Sequence, residues 1–183
     1  PIEGHLYNLI NLAKIQMDQY FEKQKNLAVS LKQLLKLDIE PNTIDCFDIS
    51  HKQGKFIVGS CVRFKNGEPD KQNFRHFKIK TINYSNDYAC LQEIVKRRYK
   101  NPEYLPDLIL IDGGKGQLNS IKKIIHNTQI ASLAKKEETV FCSKIPFGKK
   151  LNIQNYAAQT LIALRDYTHH FAISYHRKIS KIS

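Results

Sequence analysis

No stretch of this chain is apolar for long enough to cross a bilayer, and no basic start with an apolar centre marks a secretory signal. The expectation is a soluble protein of the cytoplasm. Paired cysteine spacing is also missing: Cys46, Cys61, Cys90 and Cys142 form no C-x-x-C motif and stand in apolar or strand-like surroundings. They read as buried thiols in a reducing compartment. The chain begins at Pro1 without a methionine, from which a piece of a longer protein is expected. Acidic residues are scarce, 17 against 29 Lys and Arg, giving a net charge of +12. That balance points to a polyanionic partner, of which nucleic acid is the usual one. A generally basic surface that only keeps the chain in solution would give the same count.

With 183 residues, 42% hydrophobic and 25% charged, the chain can bury one proper core, and a second full domain is not expected. Leu6, Leu9, Ala13, Met17 and Phe21 recur at helical spacing, followed by Leu27, Leu31, Leu34 and Leu35 in a second helical stretch that Pro41 closes. Residues 1–41 are therefore expected to form a helical segment packing on a domain over 42–179, with a tail at 180–183. From Ile44 the period changes. Strands are expected over 44–50, 56–64 and 74–79, with Gly54 and Asn66-Gly67 turning the chain into an antiparallel meander.

Asp87 reads as the cap of a helix running through Leu91, Ile94 and Val95 to Tyr99. Asp107 to Ile111 reads as a buried, parallel-type strand, which Gly113-Gly114 turns into a helix carrying Leu118, Ile121, Ile124 and Ile125. A short strand near Ile130–Leu133 follows, then an irregular stretch with Pro146 and Gly148, then a helix from Tyr156 to about Phe171. Three antiparallel strands, helix, parallel strand, helix, strand, helix is the order of a ribonuclease H-like α/β fold, a mixed five-stranded sheet flanked by helices. A right-handed crossover returns the fourth strand beside the first.

That topology makes neighbours of two aspartates. Asp48 lies towards the end of the first strand and Asp112 at the end of the fourth, where α/β sheets usually bind ligands. A carboxylate in mid-sheet is costly unless paired, and two together suit a hard cation such as Mg²⁺ or Mn²⁺. The final helix can present His169 to the same spot, as a ligand or as a proton carrier. Asp45 alternates to the other face of its strand. The run Gly113-Gly114-Lys115-Gly116 is no Walker loop, yet its N–H groups and Lys115 can approach a phosphate.

The segments Cys46-Phe47-Asp48-Ile49-Ser50-His51, Asp87-Tyr88-Ala89, Leu110 to Leu118, Leu133-Ala134-Lys135, and Arg165-Asp166 through His169 to Phe171 and on to Tyr175-His176-Arg177-Lys178 share an order and spacing. Together they resemble the C-terminal endonuclease region of the UvrC family, over essentially the whole chain. The resemblance implies a ribonuclease H-like, metal-dependent endonuclease that makes the 5′ incision in bacterial nucleotide excision repair. It implies Asp48, Asp112 and His169 as the metal set, with Asp87 as a secondary candidate. It implies Mg²⁺ or Mn²⁺ as cofactor, and as partners a damaged duplex held by UvrB, together with UvrA. It also implies that the chain is one module of a longer protein bearing a GIY-YIG nuclease domain, a UvrB-binding segment and a helix-hairpin-helix pair.

Backbone contacts should dominate over base readout. Lys115, Arg97, Arg98, Arg177 and Lys178 are the expected DNA contacts, with Lys122-Lys123 and Lys149-Lys150 as further clusters, although any one such cluster is also what a solvated helix face looks like. Tyr167 stands where the family usually has Glu, Gln154-Asn155-Tyr156-Ala157 replaces its usual lead into the last helix, and the loop 139–152 departs from its pattern. A non-catalytic module docking on DNA or a repair partner, and a transposase- or resolvase-like nuclease, are the other readings of the same features.

Overall fold

The computed structural model describes residues 2–52, 56–80 and 86–180, with side chains described for 10–19, 26–50, 57–80 and 86–174. Helix α1 (Ile2–Leu35) opens the chain. It is continuous where two helical stretches were expected, because the linking segment Glu22-Lys23-Gln24-Lys25-Asn26 holds neither proline nor glycine. Strands β1 (Thr43–Lys52), β2 (Phe56–Lys65), β3 (Glu68–Pro69) and β4 (Arg75–Lys78) follow, then α2 (Asp87–Arg98) and β5 (Leu108–Asp112). The chain continues through α3 (Lys115–Lys122), β6 (Gln129–Ala134), β7 (Thr139–Cys142), β8 (Ile145–Lys150) and α4 (Tyr156–Ser180).

The strands form one sheet in the order β3-β2-β1-β5-β6-β7-β8, with β4 also paired to β2. All five expected strands are present, and β3, β7 and β8 extend the sheet to eight. The hairpin β7–β8 occupies the stretch expected to be irregular. Pro146 and Gly148 broke its alternation in the sequence, and the strand accommodates both in a bulge. The strand pairings of the meander and the crossover fall where the pattern put them, β1 antiparallel to β2 and parallel to β5 with Phe47 opposite Ile111; the turn expected at Gly54 lies outside the described residues.

β5 is the centre of the packing. Leu108, Ile109, Leu110 and Ile111 are all fully buried, as expected for a parallel strand covered on both faces. Leu108 and Leu110, with Ile44 and Cys46 of β1, meet Leu27, Leu31 and Leu35 of α1 and Ala157, Leu161 and Leu164 of α4. Ile109 and Ile111, with Phe47, meet Leu91, Ile94 and Val95 of α2 and Leu118 and Ile121 of α3. Alternation thus sorts the residues of β1 and β5 into two layers, and Asp48 and Asp112 continue the face that α4 covers.

Asp45 lies on the opposite face. Its buried carboxylate accepts from Arg63 Nε at 2.6 Å, Arg98 Nε at 3.2 Å and Tyr99 Oη at 2.8 Å. These bonds tie β1, β2 and α2 together beneath the layer that holds Asp48. All four cysteines are free and buried. Among the described residues, no helix is long and apolar enough to cross a membrane.

Candidate metal centre

The parallel register that sets Phe47 opposite Ile111 puts the next residue of β1, Asp48, beside Asp112, the last residue of β5. α4 crosses β1 and brings His169 over the pair. Oxygen atoms of Asp48 and Asp112 and a ring nitrogen of His169 all lie within 4.8 Å of one another. Among the described residues, this is the one group of three such side chains close enough to share an ion.

Asp48 is 5% exposed, and its Oδ2 lies 3.2 Å from His169 Nδ1. A carboxylate there accepts, which puts the ring proton on Nδ1 and leaves the Nε2 lone pair free for an ion or a proton. Burial pushes the Asp112 carboxyl up to about 6, and the neighbouring Asp48 charge pushes the same way. Arg165, His169 and Lys135 act against that rise without cancelling it. Two neighbouring carboxylates with an imidazole within 4.8 Å of both form a donor set that a divalent cation would satisfy.

Three features hold this geometry. Gly114 N–H donates to Gln117 Oε1 at 3.0 Å and Gly113 N–H to Leu133 O at 3.1 Å, which fixes the turn after Asp112. One helical turn before His169, buried Arg165 is ion-paired to Glu138 through both terminal nitrogens, and to Asp166 at 2.8 Å. Glu137 and Glu138 both have positive φ, 65° and 47°, a conformation that non-glycine residues hold only under constraint. The Arg165–Glu138 pair supplies that constraint and anchors α4 to the end of β6. Neither Arg165 nor Glu138 was singled out in the sequence as supporting the site. The signal was the spacing of Arg165 and His169, four apart on one helix face.

The other expected site residues are dispersed. Asp87 is exposed in the first turn of α2 and is not part of the three-residue group. It does not cap the helix. Asn86 does, its Oδ1 accepting from Ala89 N–H at 3.2 Å, while Asp87 meets the helix dipole one residue later. Lys115 is exposed at the start of α3, three residues after Asp112. Arg97 is exposed but engaged, lying over the Phe77 ring and donating to Lys78 O at 2.8 Å and to Glu93 at 3.0 Å. Arg98 is corrected: it is 8% exposed and turned inward onto Asp45, so it cannot meet a phosphate backbone. Position three of a basic run on a helix faces about 100° away from position two. Arg177 and Lys178, with His176, lie in α4, and their side chains fall outside those described.

Burial raises the Cys46 thiol, a hydrogen bond with Thr168 works against that rise, and Asp112 and Asp48 raise it further. It is no nucleophile. Asp112 and His169 are half-buried, so the centre is in part reached by solvent. Hollows of about 340 and 290 Å³ lie elsewhere, one at the opposite end of β6 and one between α1 and α4.

Residues 32–173 match the family model of the UvrC RNAse H endonuclease domain. The UvrABC system protein C of Methanococcus maripaludis is 41% identical over an alignment covering 99% of this chain and 36% of that protein. That of Flavobacterium psychrophilum is 37% identical, covering 93% of this chain and 30% of that protein. The chain spans about a third of the length of these relatives. Among solved structures, Ciona intestinalis endonuclease V in complex with an inosine-containing DNA matches 67% of this chain and 58% of that one, at 17% identity and a TM-score of 0.39. Human ENDOV matches 65% and 59%, at 15% identity and a TM-score of 0.41. The chain belongs to the UvrC RNAse H endonuclease domain family, and its fold is ribonuclease H-like.

Proposed function

We propose that this member of the UvrC endonuclease family is a divalent-cation-dependent endodeoxyribonuclease that makes the 5′ incision of nucleotide excision repair by hydrolysing one phosphodiester bond. The observation that carries the reading is the convergence of Asp48, Asp112 and His169 within 4.8 Å where the parallel pairing of β1 and β5 ends. When bound there, Mg²⁺ or Mn²⁺ would polarise the phosphoryl oxygen and lower the pKa of the attacking water.

The chain's own residues do the rest. Asp48, held by burial and by His169, fixes the inner side of the site. Asp112 closes it from the next strand, and Arg165 and Lys135 limit its tendency to hold a proton. The His169 side chain is 41% exposed, so the imidazole can be reached from solvent by a phosphodiester. That position suits proton transfer to or from an oxygen. The net charge of +12 supports a nucleic-acid substrate held by its phosphates, with Lys115 near the centre. Asp87, at the outer start of α2, is a secondary candidate for the same substrate surface.

The partners that fit this reading are UvrB, presenting the damaged duplex, and UvrA; the relatives are named only as protein C of the UvrABC system. Free, buried cysteines suit the reducing cytoplasm in which such a system would act. The deciding experiment is Mn²⁺- or Mg²⁺-dependent nicking of supercoiled DNA by the chain and by its Asp48→Asn and Asp112→Asn variants. Nicking should be lost in both while DNA binding stays nearly unchanged. Nicking that survives both substitutions removes the site, and metal-independent binding with no nicking by the unaltered chain favours a non-catalytic docking module.

A further inference from the structure

Phe147 is 92% exposed, the most exposed large apolar side chain among the described residues. It does not stand on a loose loop. β7 and β8 pair Val140 with Lys149 and Cys142 with Ile145, so Pro146, Phe147 and Gly148 stand opposite the single residue Phe141. Such a bulge re-aims a side chain out of the regular pleat. Gly148 has φ +83°, and a Cβ there would lie 2.6 Å from Phe141 Cε1 and 2.8 Å from Thr139 Cγ2. The backbone beside Phe147 is therefore pressed onto β7, and Pro146 stiffens its other side. The ring is held outward by a rigid strand.

The charge around it is positive. Lys115 Nζ sits 5.6 Å from the ring centroid, and Lys149 and Lys150 follow on β8, both exposed. Lys115 opens α3 only three residues after Asp112. One lysine side chain therefore spans from the turn beside the metal centre to the ring.

We propose that Phe147, with Lys115, Lys149 and Lys150 around it, is a stacking platform for an unpaired DNA base next to the cleavage position. An aromatic face takes a base of any kind, and the flanking ammonium groups take the phosphates on either side. Bases inside a duplex offer no free face, so the platform favours unpaired nucleotides. The inference rests on the DNA-endonuclease reading above, and it names which part of the substrate this surface reads.

The chain has no tryptophan, so Phe147→Trp introduces a single indole fluorophore at an exposed position that tolerates it. With oligo(dT) in EDTA, the emission of this variant should be quenched saturably, and at lower concentration than with a blunt duplex of equal length. Phe147→Ala should weaken oligo(dT) binding roughly 5- to 100-fold. Phe147→Leu should stay weak, while Phe147→Trp binds as the unaltered chain does. Emission unmoved by DNA, equal quenching by the blunt duplex, or oligo(dT) binding unchanged in Phe147→Ala overturns the platform. So does an emission shift that appears only on concentrating the chain, which would put a second copy on the ring. Loss of nicking in Asp48→Asn together with unquenched emission overturns the platform alone. Quenching together with nicking that survives Asp48→Asn and Asp112→Asn overturns the metal-centre reading alone.

Discussion

His169 Nδ1 and Asp48 Oδ2 meet at 3.2 Å although 121 residues separate them. α4 thereby closes a site whose two carboxylates come from β1 and β5, and the contact joins the last helix to the sheet just past the last parallel pair, Phe47 and Ile111.

His169→Gln should keep a side chain of similar reach but remove the imidazole lone pair and its proton transfer. Metal-dependent nicking should fall about 10²–10⁴-fold, the usual span for a lost acid–base group. The melting temperature should stay within a degree or two, since the ring is half exposed. Unchanged nicking would leave His169 as a surface residue.

Asp112 reverses the usual aspartate behaviour with pH. Its carboxyl is raised from 3.8 to about 6, so the folded chain binds this proton more tightly than the unfolded chain does. The sign follows: the stabilisation is present at low pH and is lost as pH rises from about 4 through about 6. Asp112→Asn should therefore raise the metal-free melting temperature at pH 7.5 by roughly 2–4 °C, the shift that about 1 kcal/mol makes in a chain of this size. At pH 4 it should change little. Excess Mn²⁺ should stabilise the unaltered chain and not the variant, so the order of melting temperatures at pH 7.5 is expected to narrow or invert when EDTA is replaced by Mn²⁺.

Arg165 holds α4 through Glu138 and also lowers the Asp112 carboxyl. Arg165→Met keeps the bulk and removes the charge. The acidic limb of Mn²⁺ binding, followed by calorimetry across pH, should move to higher pH, and melting should fall. Melting that falls with an unmoved pH limb would reduce Arg165 to a packing role.

Arg98 and Lys115 should separate stability from DNA affinity. Arg98→Ala removes one of the partners of the buried Asp45 carboxylate while Arg63 and Tyr99 stay in place, and a lost hydrogen bond to a charged group costs about 1.5–3 kcal/mol, read by urea unfolding. Lys115→Ala should leave unfolding alone, weaken DNA binding, and lower the slope of log affinity against log salt by about 1. The opposite assignment of the two effects would contradict the inward placement of Arg98.

The sequence by itself determined the element order over the sheet's central strands, the parallel return of β5 beside β1, and hence the pairing of Asp48 with Asp112. The physical reason is that alternation along β1 and the unbroken apolar run of β5 are local signals, and a right-handed crossover leaves one place for the second strand. It also carried the family resemblance, in short segments whose spacing survives in the fold. Tertiary structure alone decided which way individual side chains face. Arg97 and Arg98 are adjacent in one basic run, yet one lies on the surface and the other is drawn inward by Asp45, a residue 53 positions away. Glu138 and Arg165 gain their meaning only when the end of β6 meets α4. The hairpin β7–β8 was hidden because proline, glycine and a bulge erase the two-residue period by which strands are read, and that bulge is what holds Phe147 out beside Lys115.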